Sequence, residues 1–236
     1  MHRVDDAHVL LPLGVSLWGA VAYLLMPAVW RRKSRRHPGL SARERVVTTK
    51  DGIPGDPLNV ALIGVEDDVA RAMHAAGWFP ADPITLRSSI GIVGSALLHR
   101  PYPTAPVSDL FLFGRHEDLA FEKPVGHDAR LRHHVRFWRC EGEDHRGRPA
   151  WIGAATFDRS VGLSHTTGQV THHIEAEVDR ERDGLLDDLA AAGCVEHRGR
   201  FEDFHPVREG RNGGGDPWRT DGVLGVALLR RPERTS

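Results

Sequence analysis

Arg132-His133-His134-Val135-Arg136-Phe137-Trp138-Arg139-Cys140 is followed by Glu141-Gly142-Glu143-Asp144-His145-Arg146-Gly147-Arg148 and then by Ala150-Trp151-Ile152-Gly153-Ala154-Ala155-Thr156-Phe157. Aromatic and β-branched residues on both sides of a polar, glycine-bearing connection read as two strands joined in a hairpin. The same short-strand rhythm recurs at 107–113, 119–125 and 169–174, and again around 195–204 and 223–229. The apolar run at 58–64 reads as a buried strand. Helices alternate with these. At 66–76, Glu66, Asp67 and Asp68 suit a positive helix start, Val69 and Met73 share a face, and Gly77 is a natural stop. Helical spacing of Leu86, Ile90, Val93 and Leu97 predicts a helix over 86–98, and a further one over 177–192 ends at Gly193. Strands that mostly neighbour strands predict an α+β fold, a mixed and mainly antiparallel sheet with about three helices.

Ahead of this region, residues 9–30 form a stretch of 22 without a formal charge, followed by Arg31, Arg32, Lys33, Arg35 and Arg36. That is the length of a transmembrane helix, and the cationic flank keeps its C-terminal side in the cytoplasm. A cleavable signal peptide fits less well, because Asp5 and Asp6 stand where a positive region belongs. The expected organisation is an extracytoplasmic tail at 1–8, a transmembrane helix at 9–30, a basic juxtamembrane linker at 31–55, a cytoplasmic globular domain at 56–230 and a tail at 231–236. Localisation would be single-pass membrane. The first 43 residues hold 7 of the 31 Lys+Arg and 2 of the 32 Asp+Glu, which leaves 24 against 30 for the remainder, a charge of -6. Such a domain is a poor match for nucleic acid, which needs a concentrated basic surface. The expected partners are anionic inner-leaflet lipids, held by the basic linker, and integral-membrane proteins. Cys140 and Cys194 are too few for a disulfide framework and lack metal-ligand spacing, so no metal and no cofactor is assigned.

Six histidines fall within 132–174, five of them at 133, 134, 165, 172 and 173. Alternation along a strand puts His133 with Val135 and Phe137 on one apolar face, and His172 with Val170 and Ile174, so the His-His doublets cannot each close on one metal. Ser164-His165-Thr166-Thr167-Gly168-Gln169 is a polar stretch between strands, and its single His-x-Thr falls short of the two that two-histidine phosphoesterases use. The candidate catalytic residues are His165, His133, His172 and Asp158. The second polar block, 205–222, contains Arg208, Arg211, Asn212, Gly213, Gly214, Gly215, Asp216 and Arg219. Its glycines expose backbone N–H groups and its arginines supply charge, so Arg208, Arg211, Asn212, Gly213, Gly214, Gly215 and Asp216 are candidate anion ligands. Asp179, Glu181 and Asp183 read as a solvated helix start. Serine and cysteine nucleophiles in an elbow context are missing.

Asp56-Pro57-Leu58-Asn59-Val60, Arg100-Pro101-Tyr102-Pro103-Thr104-Ala105-Pro106, the hairpin strings quoted first, Thr171-His172-His173-Ile174 and Gly210-Arg211-Asn212-Gly213-Gly214-Gly215-Asp216-Pro217 together resemble the LssY C-terminal domain family. The resemblance covers about 56–229. It implies membrane association, since such domains often follow DedA or type 2 phosphatidic-acid phosphatase segments, and it supplies no catalytic residues. The phosphatase signature itself is missing: Arg159 and His165 have its spacing, but Gln169 stands where an acid is needed. Two functions stay open, a membrane-tethered module binding an anionic headgroup or envelope phosphate, and a His-dependent hydrolase of a phosphorylated substrate. A structural accessory subunit is a third.

Overall fold

A computed structural model describes residues 6–29, 32, 45–81, 110–126 and 131–231. The chain is α+β, as expected. Seven strands run in the order β11 (Val195–Phe201), β14 (Leu224–Leu229), β3 (Val60–Ile63), β9 (Pro149–Leu163), β8 (Arg132–Glu143), β7 (Leu119–Pro124) and β4 (Phe79–Pro80), and β10 (Val170–Ile174) pairs with the far end of β9. Every pairing in this sheet is antiparallel except β14 with β3. Helices α2 (Glu66–Ala75) and α3 (Val178–Ala191) cover one face. Under them lie Val60, Leu62, Met73, Trp78, Val135, Phe137, Trp151, Leu185 and Leu189, the main core.

The opposite face is also covered, by a small sheet in the order β2 (Pro54–Pro57), β1 (Val46–Thr48), β5 (Phe111–Leu112) and β6 (Arg115–His116). Val47, Leu58, Leu110, Leu112, Trp138 and Ala154 fill that interface. Strand β8 is therefore buried on both sides, which is why its alternation carries no solvent-facing half. Asn59 pins the two longest-range elements together. Its side chain donates to the carbonyls of Ala155 (2.9 Å) and Val178 (3.0 Å) and accepts from the Ala155 N–H (2.9 Å).

Gly153 on β9 lies opposite Phe137. A Cβ there would sit 2.6 Å from the Phe137 ring and 2.7 Å from the Arg136 carbonyl, and the second neighbour is backbone. Gly153→Ala is expected to destabilise by about 1–3 kcal/mol, the usual cost of overpacking, seen as a lower urea midpoint with the slope unchanged.

Five expectations are corrected or left aside. The segment read as a linker at 31–55 contributes β1 and the start of β2, with Val47 and Ile53 buried, because two short strands beside Pro and Gly give little periodic signal. Asp179 and Glu181 are not a solvated helix start: Glu181 is buried beside His133, and Asp179 accepts from the Thr220 hydroxyl (2.8 Å) and the Asp221 N–H (2.5 Å). The helix expected at 86–98, and the first part of the strand expected at 107–113, lie outside the described residues. At the N-terminus, α1 (Asp6–Ala20) runs into a π-helical turn, Val21–Leu25, closed by the Met26 N–H donating to the Val21 carbonyl. Pro27 lacks an N–H and crowds the preceding turn, which the wider π geometry relieves. Among the described residues no helix is long and apolar enough to cross a membrane.

Candidate functional site

Strand β8 presents Arg132, His134 and Arg136 on the face turned toward the small sheet. Its register sets Arg132 opposite Asp158, His134 opposite Thr156 and Arg136 opposite Ala154 on β9. Strand β7 adds Glu122, opposite His134. Strand β10 brings His172 alongside, and a register shift between His173 and Ile174 bends the strand at this point, as bulges beside functional sites do. Arg132, His134, Arg136, Asp158 and His172 line a cavity of about 230 Å³ whose other walls come from within 49–56, from the turn carrying Ser164 and Thr167, and from Asn212, Gly213 and Gly214.

Asp158, wholly buried, is the hub. Its Oδ2 accepts from Arg132 Nε (3.0 Å) and lies 3.1 Å from His134 Nδ1 and 3.2 Å from His172 Nδ1. Arg132 also donates to Glu122 Oε2 (2.9 Å) and stands 3.2 Å from His172 Nε2. His134 Nε2 is 2.7 Å from the Thr156 hydroxyl and 3.3 Å from Arg136. Burial alone would raise the Asp158 carboxyl, but the imidazoles of His134 and His172 and the Arg132 guanidinium hold it well below the usual carboxylate range. Burial pushes the His172 imidazole down to about 4, against the pull of Asp158 and with the help of Arg132. At neutral pH His172 is uncharged.

Arg136 is held less firmly. Among the described residues its nearest carboxylates are Asp56 at 3.6 Å and Glu117 at 3.9 Å, and its buried Nε has no hydrogen-bond partner. Asp158 Oδ1 is likewise buried without one. Buried polar atoms left this way are uncommon, and His134 Nδ1 and His172 Nδ1 in the same pocket share that state.

Of the residues expected to carry chemistry, His172 and Asp158 meet in this pocket. His133 does not: it points to the helix side, 2.8 Å from Glu181 and packed beside Trp78 and Phe157. His165 sits outside the cavity, its ring 5.5 Å from that of His173. The anion cradle expected of the glycine-rich block is not assembled. Arg208 pairs with Asp203 (2.9 Å), Arg219 with Glu177 (3.0 Å), and Arg211 donates to the Gly215 carbonyl (2.7 Å). The block is instead the tip of a hairpin between β12 (Glu209–Arg211) and β13 (Pro217–Arg219). There Asn212 Nδ2 reaches across to Asp56 Oδ1 (3.3 Å), and Asp216 hydrogen-bonds His173 Nδ1 (2.7 Å). Gly215 stays outside the cavity, and Gly213 and Gly214 supply its wall. Sequence reasoning missed Arg132, His134 and Arg136. Their signal was present as three polar residues at period two in a strand whose other face is apolar.

Comparison with curated proteins gives no match, and comparison with solved structures gives none either. Among models of protein families, the one described as LssY C-terminus matches residues 40–224, a span that holds β1, the Arg132–Asp158 cluster and the β12–β13 tip together. With most of its length inside that match, the chain belongs to the LssY C-terminus family.

Proposed function

We propose that the pocket binds a small anionic group, phosphate or carboxylate, on Arg136, and that the apolar N-terminal segment holds this module at the inner face of a membrane. Arg136 carries the reading: among the described residues, a buried guanidinium with an unpartnered Nε and no carboxylate closer than 3.6 Å. Leaving a buried donor unsatisfied costs about 1–3 kcal/mol, and a planar guanidinium fork matches a phosphate or carboxylate in two places at once. The cavity of about 230 Å³ equals the share of roughly seven or eight waters at about 30 Å³ each. A phosphate or carboxylate group fits that space.

Membrane association is supported by the uncharged stretch at 9–30 and the cations behind it. Leu13, Leu17, Leu24 and Leu25 of that segment are exposed, while Trp18 Nε1 donates to the Gly168 carbonyl (3.1 Å) and Gln169 Nε2 to the Ala22 carbonyl (3.0 Å). That turn also forms part of the pocket wall, so lipid headgroups are the nearest source of a ligand. Binding is favoured over hydrolysis. The Nε2 atoms of His134 and His172 are engaged by Thr156 and Arg132, their Nδ1 atoms lie 3.1 and 3.2 Å from Asp158 without completing a hydrogen bond, and the Ser164 hydroxyl is committed to the N–H groups of Thr166 and Thr167 and to the Gly213 carbonyl.

Thermal unfolding of the full chain with inorganic phosphate, glycerol phosphate and acetate tests the reading, with flotation on phosphatidylglycerol and phosphatidylcholine vesicles beside it. A ligand at 100 times its Kd should stabilise by about 2.7 kcal/mol, a shift of several degrees. Arg136→Gln is expected to abolish that shift. A shift of equal size in the variant, or none with any anion in the wild type, sinks the reading.

A further inference from the structure

His165, His173 and Asp216 come from three separate segments, yet the donor atoms they offer all lie within 4.8 Å of one another. We propose that they bind a divalent transition-metal ion of the zinc type, which clamps together three walls of the pocket. This does not rest on the anion reading, since none of the three lines the cavity.

Two nitrogens and one carboxylate oxygen are the donor set that suits zinc or cobalt rather than the all-oxygen cages of calcium and magnesium. An ion about 2.1 Å from each donor holds tetrahedral neighbours about 3.4 Å apart. His173 Nδ1 and Asp216 Oδ1 are already 2.7 Å apart, so they open slightly while His165 closes on them. His165 is exposed and has room to move, which leaves the outer side of the ion for water.

The surroundings are built to hold these groups. Asp216 is buried, its Oδ2 receives the Ile174 N–H (3.3 Å), and its own N–H donates to Asn212 Oδ1 (3.0 Å), so the carboxylate is oriented before any ion arrives. Two glycines make the approach possible. A Cβ on Gly162 would meet His173 Nε2 at 2.6 Å, and one on Gly215, whose φ is +88°, would meet His165 Cβ at 2.7 Å. Gly162 thus seats the His173 ring with Nδ1 toward Asp216. Gly215 lets the hairpin tip lie against the 164–168 turn, where the His165 N–H donates to the Gly214 carbonyl (2.8 Å). The glycine-rich block is therefore a hinge for ligands rather than a cradle for anions.

The ion ties the turn carrying Ser164, the strand carrying His172 and the tip carrying Gly213 and Gly214. The test uses tag-free full chain, loaded with Zn²⁺ or Co²⁺ and desalted. The expected results are one equivalent retained by elemental analysis, a low-symmetry Co²⁺ visible spectrum, and a rise of several degrees in Tm that Mg²⁺ and Ca²⁺ do not give. His165→Ala leaves the fold alone because that side chain is exposed, and it is expected to weaken binding at least tenfold, as is Asp216→Asn. Arg136→Gln should bind the ion as the wild type does. No retained metal, or retention unchanged in both His165→Ala and Asp216→Asn, overturns the proposal, and so does stabilisation confined to Mg²⁺ and Ca²⁺.

Discussion

Asp158→Ala is expected to destabilise the domain by about 3–5 kcal/mol, a fall in Tm of roughly 10 °C, measurable by calorimetry or by urea unfolding followed through the buried tryptophans. The size follows from what the carboxylate neutralises. Asp158 is fully buried and is the acceptor for Arg132 Nε, and the Arg132 side chain is itself buried. Removing one partner of a buried pair leaves a charge out of water with part of its compensation gone, which costs far more than the pair gains over an apolar replacement. Glu122 still accepts from Arg132 (2.9 Å), so the loss stops short of a wholly uncompensated ion. Asp158→Asn should cost less, because the amide oxygen still accepts from Nε. A change below about 1 kcal/mol in Asp158→Ala would show that the hub is not energetically coupled to its neighbours.

The hairpin of β8 and β9 was legible because its strands are long and their connection has turn chemistry, and α2 and α3 were legible from acids at the start and glycines after the end. What stayed hidden has one cause. Strands β1, β2, β12 and β13 span three or four residues each, among Pro, Gly and charged side chains, and are strands only because the large sheet gives them something to cover. Without that second layer, the face of β8 carrying Arg132, His134 and Arg136 looks like a solvent face, and His133 beside Val135 and Phe137 looks like the interesting one. With it, the two neighbours trade places. His133 satisfies Glu181 beneath a helix, while His134 looks into the pocket between the two sheets. Period two identified the faces correctly and left unstated what covered each. The arginines of 205–222 misled for a related reason: a guanidinium near glycines reads as a cradle until its partners, Asp203, Glu177 and the Gly215 carbonyl, are in view.

His172 should make the protein lose stability in mild acid, well above the range where carboxylates titrate. Burial lowers its imidazole from the ordinary 6.5 to about 4 in the folded chain. Between those two values the unfolded chain binds the proton and the folded chain does not, so stability rises with pH across that window and is lost as pH falls through it. A displacement of that size is worth roughly 3 kcal/mol when the window has been crossed. Buried His205, also pushed down by burial, acts in the same direction. Asp158, Asp221 and Asp144 are all lowered, the last to about 2, so their stabilisation is present above the usual 3.8 and fades only below it. The two groups of residues therefore act in sequence: the histidines from pH 6.5 downward, the carboxylates below about pH 4. His172→Asn cannot titrate and keeps a side chain able to face Asp158. Unfolding free energies at half-unit steps from pH 7.5 to 4 should fall by roughly 3 kcal/mol more in the wild type than in His172→Asn. Parallel curves would mean that His172 titrates in the folded chain as it does in the unfolded one, with Asp158 offsetting the cost of its burial.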